Sequence, residues 1–267
     1  MIRVNHHNGV IAYKMGRSLG PYVPYMTHAF QIGRTLIDTG TRFAEREFLG
    51  TLASPVDTII NTHHHEDHIG NNSAVQEKFG SAIIAHPLAL SYISDPVIIP
   101  LKPYQKAVWG RPLPSKAAPA GDSINTGDCR FQVIHCTGHC DDHICLYEHD
   151  RKWLFSGDMF CGIRNIYLRK DETFPKQLES LRKLAALDID VIFCAMKGVV
   201  TGRKHALTEK IDFMEKLRDA AIEMNRKGKS VKEITRRLLG FEDMMWAITM
   251  GHFSKKNLIE SIIGSPV

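Results

Sequence analysis

Thr62-His63-His64-His65-Glu66-Asp67-His68 is the stretch on which the reading of this chain turns. It follows Val56-Asp57-Thr58-Ile59-Ile60, a short β-branched run that reads as a buried strand. Ile69-Gly70-Asn71-Asn72 comes next, then a helix-like segment from Ser73 to Phe79 that Gly80 stops. The cluster is therefore expected on the turn between a strand end and a helix start. Alternate residues of an extended chain project the same way, so His63 and His65 point together, and Asp67 and His68 arrive from the bend. Neutral imidazole and carboxylate form the ligand set that suits zinc, iron or manganese. The bland alternative is a polar loop or a chance histidine tract. A chance tract has no reason to follow a buried strand and precede a capped helix, and this one is interior to the chain rather than an appended tag.

The pattern His63-x-His65-x-Asp67-His68 resembles the signature of the metallo-β-lactamase-fold hydrolases. The resemblance in order and spacing runs from about Gly9 to about Gly202. It implies an α/β (α+β) fold, an αββα four-layer sandwich of two mixed β-sheets flanked by helices. It also implies a ligand set: His63, His65 and His139 for a first metal, Asp67 and His68 for a second, and Asp158 bridging both. One position departs from the pattern. The family usually carries a further second-metal histidine on the turn after the strand equivalent to Asp190–Cys194, where this chain has Ala195-Met196-Lys197-Gly198. Lys197 takes that histidine's place. An ammonium has no lone pair, so it ligates a metal only if burial beside a dication strips its proton. Otherwise its charge stands in for the second metal. His205 and His252 are the later histidines that could fold back as surrogates. The expected cofactor is zinc, one or two ions, with iron or manganese as alternatives.

The function implied is metal-dependent hydrolysis. A metal-bound hydroxide, formed near neutral pH, attacks an ester, thioester, lactone or related small substrate. Asp67 would orient the nucleophile and carry its proton, and a charged Lys197 would stabilise the oxyanion or grip an anionic substrate group. The family resemblance supplies one alternative, a mononuclear iron enzyme that oxidises a persulfide. A degenerate, non-catalytic metal-binding member is another.

Bulk properties agree with a soluble enzyme. The chain has 267 residues and a formal net charge of +5, too small an excess to argue for nucleic acid. No apolar h-region opens the sequence and no apolar run is long enough to span a bilayer. The expectation is a cytoplasmic protein with a small-molecule substrate and no membrane partner; the oligomeric state is open, a homodimer among the options. Six scattered cysteines show no disulfide framework and read as reduced thiols. Two domains are expected: a core over residues 1–207 and a helical C-terminal extension over 208–267.

Other segments carry expectations of their own. Thr27–Ile32 and Thr35–Asp38 read as a hairpin about Gly33-Arg34; Asp38 reads as a turn former, and the family resemblance implies that it lies close behind the metal site, two compatible readings. His86 reads as structural. The Pro-rich stretch Asp95–Gly121 suits neither a long helix nor a central strand; Tyr104 and Trp109 within it line a pocket or anchor the loop. His135 and His143 read as donors that orient the ligands, and Cys140 points away from His139. Thr173 is expected to cap a helix to about Leu187, and the chain reads as helical from Thr208. The cations between Arg226 and Arg237 form a solvated face or meet an anionic partner.

Overall fold

The structure, a computed structural model, describes residues 1–18, 20–202 and 205–264. Two compact units emerge. The first comprises Met1–His135, Asp142–Asp158 and Ile189–Gly202. The second gathers Cys136–Asp141, Met159–Asp188 and the chain after Gly202. This division differs from a cut at 207: the helix after Thr173 and the segment 136–141 go with the C-terminal helices.

The first unit holds two mixed sheets. One runs in the order β1 (Ile2–His7), β2 (Val10–Met15), β3 (Thr27–Ile32), β4 (Thr35–Ile37), β5 (Thr58–Ile60), β6 (Ala82–Ala85) and β7 (Ala117–Pro119). The β1–β4 pairings are antiparallel, and β4 through β7 are parallel. The other sheet uses β8 (Ser123–Asn125), β9 (Arg130–His135), β10 (Ile144–Glu148), β11 (Trp153–Gly157), β13 (Val191–Cys194) and β14 (Gly198–Val200). Its order is β14-β13-β11-β10-β9-β8, parallel only between β11 and β13. The intervening β12 (Leu168–Arg169) belongs to the second unit.

The two large sheets face each other through one core. Phe30, Ile37 and Ile60 from the first meet Phe131, Leu146, Phe155 and Phe193 from the second. Phe155 and Phe193 stack with centroids 4.5 Å apart, and Phe30 meets both edge-on. A second cluster, with Tyr13, Phe48, Val56, Ile59 and Val75, fills the other face of the first sheet. Helices α1 (Glu45–Thr51) and α2 (Asn72–Phe79) supply part of it. The β5 run is thus buried on both faces, as a parallel strand between helices and a second sheet must be.

The Pro-rich stretch resolves into α3 (Leu90–Ser94) just before it, a 3₁₀ turn at Pro96–Ile98, α4 (Pro103–Val108) and the edge strand β7, which ends in Pro119. Trp109 and Tyr104 are buried; Trp109 packs edge-on against both Tyr104 and Tyr25, so these rings anchor the stretch.

In the second unit, α5 (Phe174–Ala185), α6 (Ala206–Arg226), α7 (Val231–Leu239), α8 (Met244–Ile248) and α9 (Lys255–Ile263) pack with a small ladder of β12 and β15 (Phe253–Ser254). Ser230 and Glu233 form the expected capping box, and Ser254 caps α9. Thr173 sits at the N-cap of α5, but its side chain makes no cap bond. Lys210 is buried and donates to the carbonyls of Phe160 (2.5 Å) and Gly162 (3.1 Å), pinning the loop after Met159 to α6. Among the described residues no helix is long and apolar enough to cross a membrane.

Phe193 is fully buried at the centre of the aromatic cluster. Phe193→Ala is expected to cost about 3–5 kcal/mol of stability by urea denaturation, as a deep cavity would.

Candidate metal centre

The histidine turn lies between β5 and α2, as the sequence requires. After Ile60 the chain stays open through His65, then bends: the His68 N–H donates to the His65 carbonyl (2.9 Å), as does that of Ile69 (3.1 Å). Gly70 closes the bend against the Gly40 carbonyl; a Cβ there would stand 2.3 Å from that oxygen, so only glycine fits. The rings of His63 and His65 come to 4.4 Å at 88°, and those of His63 and His68 to 3.9 Å. All are buried.

Asp38 fixes this geometry. It ends the β3–β4 hairpin in a left-handed conformation, φ 58°. Its Oδ1 accepts the Thr62 N–H (2.8 Å), and its Oδ2 accepts the Thr62 hydroxyl (2.8 Å) and His68 Nδ1 (2.7 Å). A carboxylate only accepts, so His68 Nδ1 carries the hydrogen and Nε2 is directed into the site. That Nε2 is buried without a hydrogen-bond partner, 3.6 Å from Asp158 Oδ1 and 3.9 Å from Asp67 Oδ2.

Asp158 follows β11 at the β-bulge beyond Phe155. Gly157 takes φ +48°, and a Cβ on it would strike His143 Nε2 at 2.6 Å. That nitrogen accepts the Asp158 N–H at 3.1 Å. His143 therefore braces the Asp158 backbone, as an acceptor rather than the expected donor. His135 is exposed and stacks on His86 in the first unit.

His63, His68 and Asp158 each offer one ligand atom within 4.8 Å of the others. Asp67 is buried beside them; burial first, then Asp158 and Glu66, push its carboxyl up to about 7, against the pull of His68. Burial alone would lower His68, but Asp38, Asp67 and Asp158 together hold it well above the usual imidazole range. A buried imidazole ringed by three carboxylates is a field that favours positive charge. The donor chemistry, the orphaned Nε2 and this field all fit a bound divalent metal.

His139 lies in the second unit, buried on the segment before α5. Its Nδ1 pairs with Glu172 Oε1 at 2.6 Å. Thr173 N–H in turn donates to the Gly138 carbonyl (2.8 Å), so the start of α5 braces the histidine loop. In the first unit Asp142 treats His64 the same way, accepting its backbone N–H (2.8 Å) and pairing with its Nδ1 (2.7 Å).

Lys197 is exposed on the turn between β13 and β14. It is not buried, as a ligand role would require. His205 heads α6 and His252 pairs with Asp171 at 3.5 Å, both in the second unit. The histidine that does meet the Lys197 turn is one the sequence reading passed over. His28 on β3 is buried; its Nδ1 donates to the Ala195 carbonyl (2.7 Å), and a Cβ on Gly198 would lie 2.9 Å from its Nε2. Burial, helped by Lys14, lowers its pKa despite the bond to Ala195.

The sequence matches the model of the metallo-beta-lactamase superfamily over residues 32–196. A hydroxyacylglutathione hydrolase from Aeromonas hydrophila is 30% identical over 202 residues, 70% of this chain and 69% of that one. A beta-lactamase domain protein from Burkholderia ambifaria superposes with a TM-score of 0.68 at 16% identity, covering 97% of this chain and 86% of that one. A metallo-beta-lactamase family protein from Thermus thermophilus does so with a TM-score of 0.62 at 20% identity, covering 96% and 91%. Likeness at these identities concerns the fold.

Two outcomes follow from the geometry. Asp38→Asn keeps the left-handed backbone, which asparagine tolerates, but offers one acceptor oxygen where three donors converge. It is expected to cost about 1–3 kcal/mol in urea denaturation, the penalty of a buried donor left unpaired. The pKa of His28 is lowered by folding, so the unfolded chain binds its proton more readily. Its share of stability is complete above the unfolded value of 6.5 and falls as pH drops below it. His28→Gln is therefore expected to lose less stability than wild type between pH 7.5 and 5.5, by about 1 kcal/mol in paired denaturant titrations.

Proposed function

This chain belongs to the metallo-β-lactamase superfamily, and from that premise we propose that it is a metal-dependent hydrolase of small thioesters. The convergence of His63, His68 and Asp158 carries the reading. The proposed ligands are those the family resemblance implies: His63, His65, Asp67, His68, His139 and Asp158. Zinc is the proposed metal. The thioester class is supported by the hydroxyacylglutathione hydrolase that is 30% identical. A cytoplasmic setting rests on the six scattered cysteines of the sequence.

A bound divalent metal supplies Lewis acidity and brings the pKa of a water down to about 7. The chain's own groups do the rest. Asp38 and Glu172 lock His68 and His139 in the tautomer whose Nε2 carries the lone pair. His143 fixes the backbone that presents Asp158. Asp67 Oδ2 takes the proton of the attacking water and returns it to the thiolate that leaves. Lys197, exposed on its turn, binds an anionic group on the substrate rather than a metal.

Elemental analysis of protein purified without chelator is expected to find one or two zinc ions per chain. Chelation should abolish, and zinc restore, hydrolysis of a hydroxyacylglutathione thioester. Asp67→Asn is expected to lower kcat about 100-fold at matched metal content. A chain that holds no metal and takes none up on titration is not this enzyme. Iron, with oxygen consumed on a persulfide, would replace the hydrolase reading with an oxidative one.

A further inference from the structure

Six large apolar side chains stand exposed within ten residues of the second unit: Phe241, Met244, Met245, Trp246, Ile248 and Met250. Apolar side chains scattered singly over a surface need no explanation, but a cluster of this size does. The short helix α8 has no buried residue at all. Its side chains are displayed all round the helix rather than along one face.

The segment is nonetheless tied down firmly. The Asp243 side chain accepts from the Met245 N–H (3.1 Å), from the Tyr167 hydroxyl and from Lys255 Nζ (3.2 Å). Glu242 accepts the backbone N–H groups of Lys255 (3.2 Å) and Lys256 (2.9 Å). Lys255 Nζ also donates to the Phe241 carbonyl (2.7 Å). Both acids of the segment are thus engaged within their own unit. What the segment offers outward is apolar.

Cations lie next to it. Arg236 and Arg237 are exposed in the last turn of α7, and the Arg236 guanidinium sits 4.6 Å over the Phe241 ring. Neither belongs to an ion pair among the described residues, whereas Lys227 and Lys229 each have a glutamate partner. Arg236 is thus held beside the apolar cluster, with Arg237 the next residue on the same helix turn.

We propose that residues 241–250 dock the protein on an anionic lipid bilayer. The apolar side chains enter the boundary of the acyl region, and Arg236 and Arg237 meet the headgroup phosphates. A fluid bilayer suits a helix that is apolar on every side, where a protein partner would need a matching groove. Tryptophan favours the interface between headgroup and acyl chain, and apolar insertion with flanking cations supplies the two signals that stable surface binding requires. A second copy of the chain suits the patch poorly. A twofold interface built on these ten residues would fall well short of the roughly 20–30 residues a side of a stable one, and it would also have to desolvate Arg236. This surface binding needs no spanning helix, so it departs from the expectation of no membrane partner without contradicting the reasoning behind it.

Trp246 makes the test direct. It is 48% exposed, while Trp109 and Trp153 are 9% and 4% exposed, so a change in tryptophan emission on binding reports Trp246. The full chain is titrated with vesicles of phosphatidylcholine alone and of phosphatidylcholine with phosphatidylglycerol. Binding is read by emission and by cosedimentation. The expected result is a saturable blue shift with the anionic vesicles and little with the neutral ones. Arg236→Gln should weaken binding about fivefold, the effect of one cation near an anionic surface. The pair Met244→Ser and Ile248→Ser should weaken it tenfold or more with Tm unchanged, since neither side chain is packed in the core. Trp246→Phe should abolish the shift but not the cosedimentation. The proposal is overturned if wild type stays in the supernatant with both vesicles, or if the serine pair binds as well as wild type. It is also overturned if the serine pair instead abolishes a concentration-dependent dimer, which would make a second copy the occupant.

Discussion

The metal-site half of the first unit hangs on one carboxylate. Asp38 stands where the parallel strands β4 and β5 end side by side, and it joins the two ends through Thr62 and His68. Other bonds reach the turn, between Thr39 and the His68 carbonyl and between Asp142 and His64, but Asp38 alone ties the backbone of Thr62 to the ring of His68. The residue accepts a left-handed backbone to do this. That strain is tolerable because three hydrogen bonds, all buried, over-determine the conformation.

The same device recurs. His64 has Asp142 and His139 has Glu172, each histidine paired at Nδ1 with a carboxylate of its own unit. Carboxylate pairing decides which ring nitrogen keeps its lone pair, and it makes that nitrogen a stronger base. The placing of acids is therefore as informative as the placing of histidines. Asp142 comes from the loop before β10, and Glu172 from the loop before α5, far in sequence from what they hold.

That distance explains what the sequence disclosed and what it withheld. His63, His65, Asp67 and His68 were legible because all four fall within six residues, behind a β-branched run whose burial on both faces is itself a sequence pattern. The partners Asp142 and Glu172 were not, since an isolated acid in a loop carries no periodicity and its role exists only once the chain is folded. β1 was missed because Ile2–His7 is mostly polar and exposed, a strand made by pairing with β2 rather than by burial. His28 was missed because a histidine in a buried strand looks like any core residue until its nitrogen is seen to meet Ala195.

Two places in the chain break the rule that apolar groups go in and polar groups stay out. At the first, imidazoles and carboxylates are buried with their donors aimed at one another. At the second, Phe241 to Met250 keeps apolar side chains in water although the surrounding acids and lysine are fully engaged. Both arrangements are costly for folding alone. Burying ionisable groups forfeits hydration, and exposing methionine, isoleucine and tryptophan forfeits burial. A chain that is otherwise consistent from strand propensity to core packing departs from those rules where something outside the chain completes the structure. For the first place the complement is a cation, by the chemistry of the donors. For the second, the display of apolar side chains all round α8, with Arg236 laid over Phe241, asks for a complement that is both apolar and anionic.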